Sequence, residues 1–122
     1  MNFLIDAKIM SIKFDFNASN VLKNQNLIFE VEKLEDNLVS YTLQFIDVSS
    51  FQVFLDVGEK NLSPSSYEAD SIYISSIVML EQYKNHKKWK ITLIDNVGSI
   101  EIFSNDIEIV RDELGKEVRK II

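Results

Sequence analysis

Isoleucine, leucine, valine and phenylalanine recur at every second position, segment after segment, from Ile5 to Ile109. Tyr41, Leu43 and Phe45 alternate with Thr42 and Gln44, and Phe51, Val53 and Leu55 with Gln52 and Phe54. Ile100 and Ile102 flank Glu101, and Ile107 and Ile109 flank Glu108. Successive side chains of a strand point to opposite faces, so this beat of two builds one apolar and one wetter face. It restricts the chain to an antiparallel β domain with a single core. A length of 122 residues fits one domain, 1–122, and a hydrophobic fraction of 46% is ample for packing.

The spacing predicts a mainly β fold, a sandwich or partly open barrel of about seven or eight strands. The first runs from Ile5 to Phe16. Its apolar phase is 5, 7, 9 and then 10, 12, 14, 16, a slip that requires a β-bulge near Met10-Ser11. Residues 17–26 read as a loop. Strands follow over 27–34 and 38–47, joined by the turn Glu35-Asp36-Asn37. Ser49-Ser50 breaks the pattern before a strand over 51–57, and 58–70, which holds the only proline, is the longest loop. Residues 71–83 can be drawn as strand or helix, and β-branched and aromatic enrichment favours the strand. Strands over 89–94, 99–103 and 107–110 complete the pattern, with turns at 95–98 and 104–106. Leu114, Val118 and Ile121 then change to a helical stripe, which predicts a short C-terminal helix or a frayed tail.

Net charge is −6. Residues 1–83 hold 12 acids and 5 bases, 84–90 hold four lysines and no acid, and 91–122 hold 7 acids and 4 bases. An acidic chain argues against nucleic acid as a partner and suits a basic protein. There is no cysteine, so disulfides and thiol chemistry are excluded. Asp6 and Lys8 interrupt any leader, and the longest apolar run, Ile77–Leu80, is far too short for a membrane span. The expectation is a soluble cytoplasmic protein with no membrane partner.

Catalytic chemistry is sparse. His86 is the only histidine, with no second nitrogen or sulfur ligand for a metal and no local nucleophile to serve. Gly58, Gly98 and Gly115 are too far apart to cradle a phosphate, and none of the serine pairs has the glycines of a nucleophile elbow. No enzyme activity, metal or cofactor is expected. The carboxylates offer more. Glu30 and Glu32 share one outward face, and Glu101 and Glu108 are expected outward on neighbouring strands of a hairpin. Phe54 and Phe103 stand opposite their strands' main apolar rows, so they cover a second layer or form an exposed patch. Glu30, Glu32, Glu101, Phe103 and Glu108 are therefore the candidate partner-binding residues. The plainer alternative is a solvated sheet face whose charges discourage edge-to-edge association.

Three stretches carry a resemblance. Ile-Asp-Ala-Lys-Ile-Met-Ser-Ile-Lys-Phe-Asp at 5–15, Tyr-Thr-Leu-Gln-Phe-Ile-Asp-Val-Ser-Ser-Phe at 41–51 and Gly-Ser-Ile-Glu-Ile-Phe-Ser-Asn-Asp-Ile-Glu-Ile at 98–109 resemble the opening strand, the aromatic strand and the closing hairpin of small β-rich immunity proteins from bacterial polymorphic toxin systems. Ile5 stands where that family often has histidine, so only Asp6 and Ala7 match its usual start. The resemblance implies a non-enzymatic binder that neutralises a cognate toxin without a cofactor. The alternative reading of the β pattern is a small-ligand carrier with an apolar cavity inside a curled sheet.

Overall fold

Two strands run the length of the molecule and organise everything else. The computed structural model describes residues 1–15, 25–55 and 72–122. Its strands are β1 (Lys8–Asp15), β2 (Asn26–Leu34), β3 (Leu38–Leu55), β4 (Ile72–Tyr83), β5 (His86–Leu93), β6 (Gly98–Glu113) and β7 (Arg119–Lys120). All pairings are antiparallel. The order is β3-β2-β1-β4-β5-β6-β7, and a further β3–β6 pairing closes the sheet into a ring. β1 meets β4 over a short stretch, through Lys8↔Tyr73 and Ile9↔Ile72, and the residues before β1 extend it, the Asp6 amide donating to Ile74 O and the Ile74 amide to Ala7 O, both at 2.8 Å. A partly open barrel of seven strands results, with short 3-10 turns at Asn2–Leu4 and Ile94–Asn96. Among the described residues no helix is long and apolar enough to cross a membrane.

The expected bulge is present: the β1–β2 register shifts between Ile9 and Ser11, leaving Met10 as the extra residue. Residues 72–83 form a strand, as β-branched enrichment predicts. The predicted loops at 17–26 and 58–70 lie, but for Gln25 and Asn26, outside the described residues, as do Phe16 and the 56–57 end of the predicted fourth strand.

Two predicted breaks are bends within continuous strands. Ser49-Ser50 does not end a strand, because β3 continues to Leu55 with a register shift against β6 between Val48 and Ser50. Asp47 makes the bend with a φ of 53°, a left-handed conformation that aspartate tolerates better than most residues. Its amide donates to Asn26 Oδ1 at 3.2 Å, and the Val48 amide donates to Gln25 O at 2.7 Å. Likewise 104–106 is no hairpin turn. β6 is unbroken, and its buried phase steps from Ile100, Ile102 and Ser104 to Ile107 and Ile109. Ser104 Oγ donates to Asp106 O at 3.1 Å, and the Ile107 amide donates to Asp106 Oδ1 at 2.8 Å. At the far end Gly98 lies so close to β3 that a Cβ there would overlap the Phe54 carbonyl oxygen.

The C-terminal helix does not form. Gly115 adopts a φ of 83°, the chain reverses, and β7 pairs with β6 through Val110↔Lys120 and Arg111↔Arg119. The helical stripe has nothing to pack on: Leu114 is 93% exposed and Val118 54%. A short helix without a buried face is not stable in water.

The core collects the inward phases of both halves, including Phe29, Leu43, Phe45, Ile74, Ile91, Ile102 and Ile109, with Phe29 and Phe45 meeting edge to face at 5.6 Å. Trp89 is only half-buried, and Val53 and Leu55, which belong to the apolar row read from the alternation, are 48% and 56% exposed. The β2–β3 ladder ends at Leu27↔Phe45, so beyond the bend β3 pairs with β6 alone among the described residues.

Candidate functional site

The register gathers carboxylates onto one outer face. Ser40 lies between Glu32 on β2 and Asp112 on β6, Thr42 between Glu30 and Val110, and Gln44 between Ile28 and Glu108. Alternation sends these side chains outward, because their neighbours Val39, Tyr41, Leu43, Phe45, Ile107 and Ile109 are buried. Adjacent strands are about 4.8 Å apart, so Glu32 and Asp112 stand about 10 Å from each other across a shallow polar row of Ser40, Thr42 and Gln44. Among the described residues Glu30, Glu32 and Asp112 form no ion pair, whereas Glu108 accepts from Lys120 Nζ at 2.9 Å. The result is an acidic face with a neutral, hydrogen-bonding floor. Asp112 was not anticipated from sequence. It continues the outward beat of Glu108 and Val110, a signal hidden by reading the tail as helix.

Glu101 and Phe103 stand elsewhere. They share β6 with Glu108, not a neighbouring hairpin strand, and seven residues separate Glu101 from Glu108, about 23 Å along the strand. The phase step near Asp106 lies between them. Glu101 sits between Gln52 and Lys90 and pairs with Lys88 at 3.4 Å. Phe103 stacks on His86, ring centroids 5.3 Å apart and nearly parallel, and His86 is half-buried at the start of β5. Glu101, Phe103 and Lys88, with Ser50, Gln52 and Glu81, line a groove of about 280 Å³ with charges of both signs. The basic stretch 84–90 starts in the β4–β5 turn, where Lys84 has a φ of 53°, and continues along β5. Phe54 is about half exposed on the same outer phase.

A third cluster arises from residues distant in sequence. At the Val39–Glu113 end of the β3–β6 ladder, Arg111 lies opposite Tyr41 on the inward phase. Its Nη2 meets Glu35 Oε1 at 2.9 Å, its Nη1 meets Glu113 Oε2 at 2.8 Å, and its Nε donates to Tyr41 Oη at 3.3 Å. Tyr41 in turn donates to Glu35 Oε2 at 2.7 Å, and the Phe3 ring packs on the phenol at 5.6 Å. The Tyr41 and Arg111 hydrogen bonds hold the Glu35 carboxyl below its usual range. Burial raises Glu113, but hydrogen bonds from Asn37 and Arg111 and the charge of Lys116 outweigh it and leave that carboxyl lowered too. Burial and the bond to Glu35 push the Tyr41 phenol up. The Tyr41 bond, followed by Glu35, holds Arg111 firmly protonated. Each nitrogen of the guanidinium has an internal partner, so the cluster ties β3, β6 and the Glu35 turn together at this end of the barrel.

No family model and no curated protein matches this chain. A solved structure of an uncharacterized protein from Neisseria gonorrhoeae is similar at 14% identity, with 86% of this chain and 90% of that one covered and a TM-score of 0.48.

Proposed function

We propose that this chain is a non-enzymatic cytoplasmic interaction protein that docks a basic protein partner on the outer face of β2, β3 and β6, as an immunity protein neutralising a cognate toxin would. The supporting observation is the register that sets Glu30, Glu32, Glu108 and Asp112 around Ser40, Thr42 and Gln44. Glu30 and Asp112 form no ion pair among the described residues, while Lys8 stands opposite Glu32 and Lys120 pairs with Glu108, so the first two keep most of their field for an incoming partner, and complementary fields accelerate encounter. The fully buried side chains of Phe29, Leu43, Phe45 and Ile109 fill the space beneath this face, which favours a surface binder over a carrier.

The partner is to be isolated by pull-down from the native host and its association followed by stopped flow at several salt concentrations. Glu30→Lys with Asp112→Lys is expected to leave the circular dichroism unchanged, because exposed charges contribute little to stability. It should slow association about tenfold at low salt and flatten the salt dependence. Glu101→Lys, on the other surface, should change the rate far less. An association rate and salt slope untouched by the double reversal would place the interface elsewhere.

A further inference from the structure

The acidic face is bounded by an edge that is already partly occupied. β5 covers β6 only from Ser99 to Ser104, and further along the strand β7 takes over at Val110 and Arg111. Beyond that pairing the main-chain bonding continues for one more residue of β6. The Ile109 amide donates to Ile122 O at 2.7 Å, and Ile109 O accepts from the Ile121 amide at 2.8 Å. Lys120 reaches Glu108 of the acidic face at 2.9 Å, and Lys116 reaches Glu113 at 3.4 Å. No residue from 114 to 122 is buried. Arg119 and Lys120 thus lie in a short extended segment, with Lys116 in the turn before it, held by a two-residue ladder, the main-chain bonds to Ile109 and two ion pairs.

We propose that the β6 edge from Glu108 to Arg111 is a strand-addition site for an extended basic segment of a protein partner, and that β7 is the resident occupant which that segment replaces. The unpaired edge of a sheet offers main-chain donors and acceptors to any incoming strand, and neighbouring side chains select which one. Here the selector is Glu108, which already takes a lysine, with Glu30, Glu32 and Asp112 beyond it on the same face. The resident segment displays the chemistry the site accepts: a base whose ammonium reaches Glu108 from the position opposite Val110. The edge of β4 beyond Ile74, which no strand among the described residues covers, does not compare. Its ladder to β5 is interrupted between Ile74 and Ser76 and again between Met79 and Glu81, which breaks the regular register an added strand needs. The basic class of the partner rests on the function proposed above; the pairing site does not.

The test uses the full chain and a synthetic peptide of residues 116–122 as the probe. Arg119→Pro with Ile121→Pro removes two amides on the side of β7 that faces β6. A site occupied by its own segment binds an added one more weakly, in proportion to the fraction of molecules in which it is open. The peptide should therefore bind the double-proline chain about tenfold or more tightly than the unaltered chain, with an open fraction of roughly 0.1–10%. The Ile109 amide, rendered exchange-labile by the prolines, should regain protection from hydrogen exchange when the peptide binds. Adding Glu108→Lys should weaken binding severalfold. In the unaltered chain, high peptide concentration should leave Ile109 protected while Ile121 loses protection, a measurement independent of how well the proline variant folds. Equal affinity for both chains, or binding that leaves Ile109 unprotected, would overturn the proposal. Peptide pairing at β6 together with partner association indifferent to Glu30 and Asp112 would retain the edge site and reject the acidic docking face.

Discussion

Leu43→Ala and Val53→Ala test how far the inward phase of β3 is covered. Both residues hold that phase, one on each side of the bend at Asp47. Leu43 is fully buried between Phe29 on β2 and Ile109 on β6, which are themselves fully buried. Replacing leucine by alanine removes three carbons, about 2.5 kcal/mol at 0.8 kcal/mol for each buried methylene. The flanking ladders hold both neighbours in place, so the cavity collapses little and its own contribution raises the loss to about 3–5 kcal/mol. Val53 is 48% exposed, so its truncation should cost less than about 1 kcal/mol. Urea unfolding followed by Trp89 fluorescence provides the assay. With a slope of about 1.5–2 kcal/mol/M, Leu43→Ala should lower the midpoint by about 2 M at unchanged slope, and Val53→Ala by less than about 0.6 M. Similar losses at the two positions would refute the reasoning, because they would show that the second half of β3 is covered as completely as the first.

The polar cluster at the barrel end makes stability depend on acid. Glu35 and Glu113 have lowered pKa values in the folded state, so their contribution is present above the ordinary value of 4.5 and is lost as pH falls through the folded values. Arg111→Met removes a donor to both carboxylates; its unfolding free energy should be lower at pH 7 and should fall less steeply between pH 5 and pH 3 than that of the unaltered chain, approaching it in acid. Parallel curves from urea titrations across about that range would refute this role. Gly98→Ala should destabilise by about 1–3 kcal/mol or more, since the added methyl must push the Phe54 carbonyl out of the β3–β6 pairing; a midpoint unchanged in urea would contradict the close approach.

The alternation of Tyr41, Leu43 and Phe45, and of Ile107 and Ile109, decides by itself which side chains face inward, because a strand's pleat depends on local backbone geometry alone. The slip between Ile9 and Met10 is legible for the same reason: two adjacent apolar residues at a change of phase require an extra residue in the ladder. What the pattern cannot carry is which strand lies beside which, and for how long. Ser49-Ser50 and Ser104–Asp106 read as strand ends, yet each lies at a bend where a paired strand passes from one half of the barrel to the other, a change fixed by partners more than fifty residues away. Val53 and Leu55 keep the inward phase and remain exposed because the β2 ladder stops at Phe45. The tail has the spacing of a helix and joins a sheet, since helical spacing without a surface to bury against loses to main-chain pairing on β6. The candidate site divides in the same way. Outward carboxylates at Glu30, Glu32, Glu101 and Glu108 follow from the beat of two. Only the β2–β3–β6 register sets three of them beside Asp112 and sends Glu101 to the other surface, because distance across a sheet depends on strand order and not on separation in the chain.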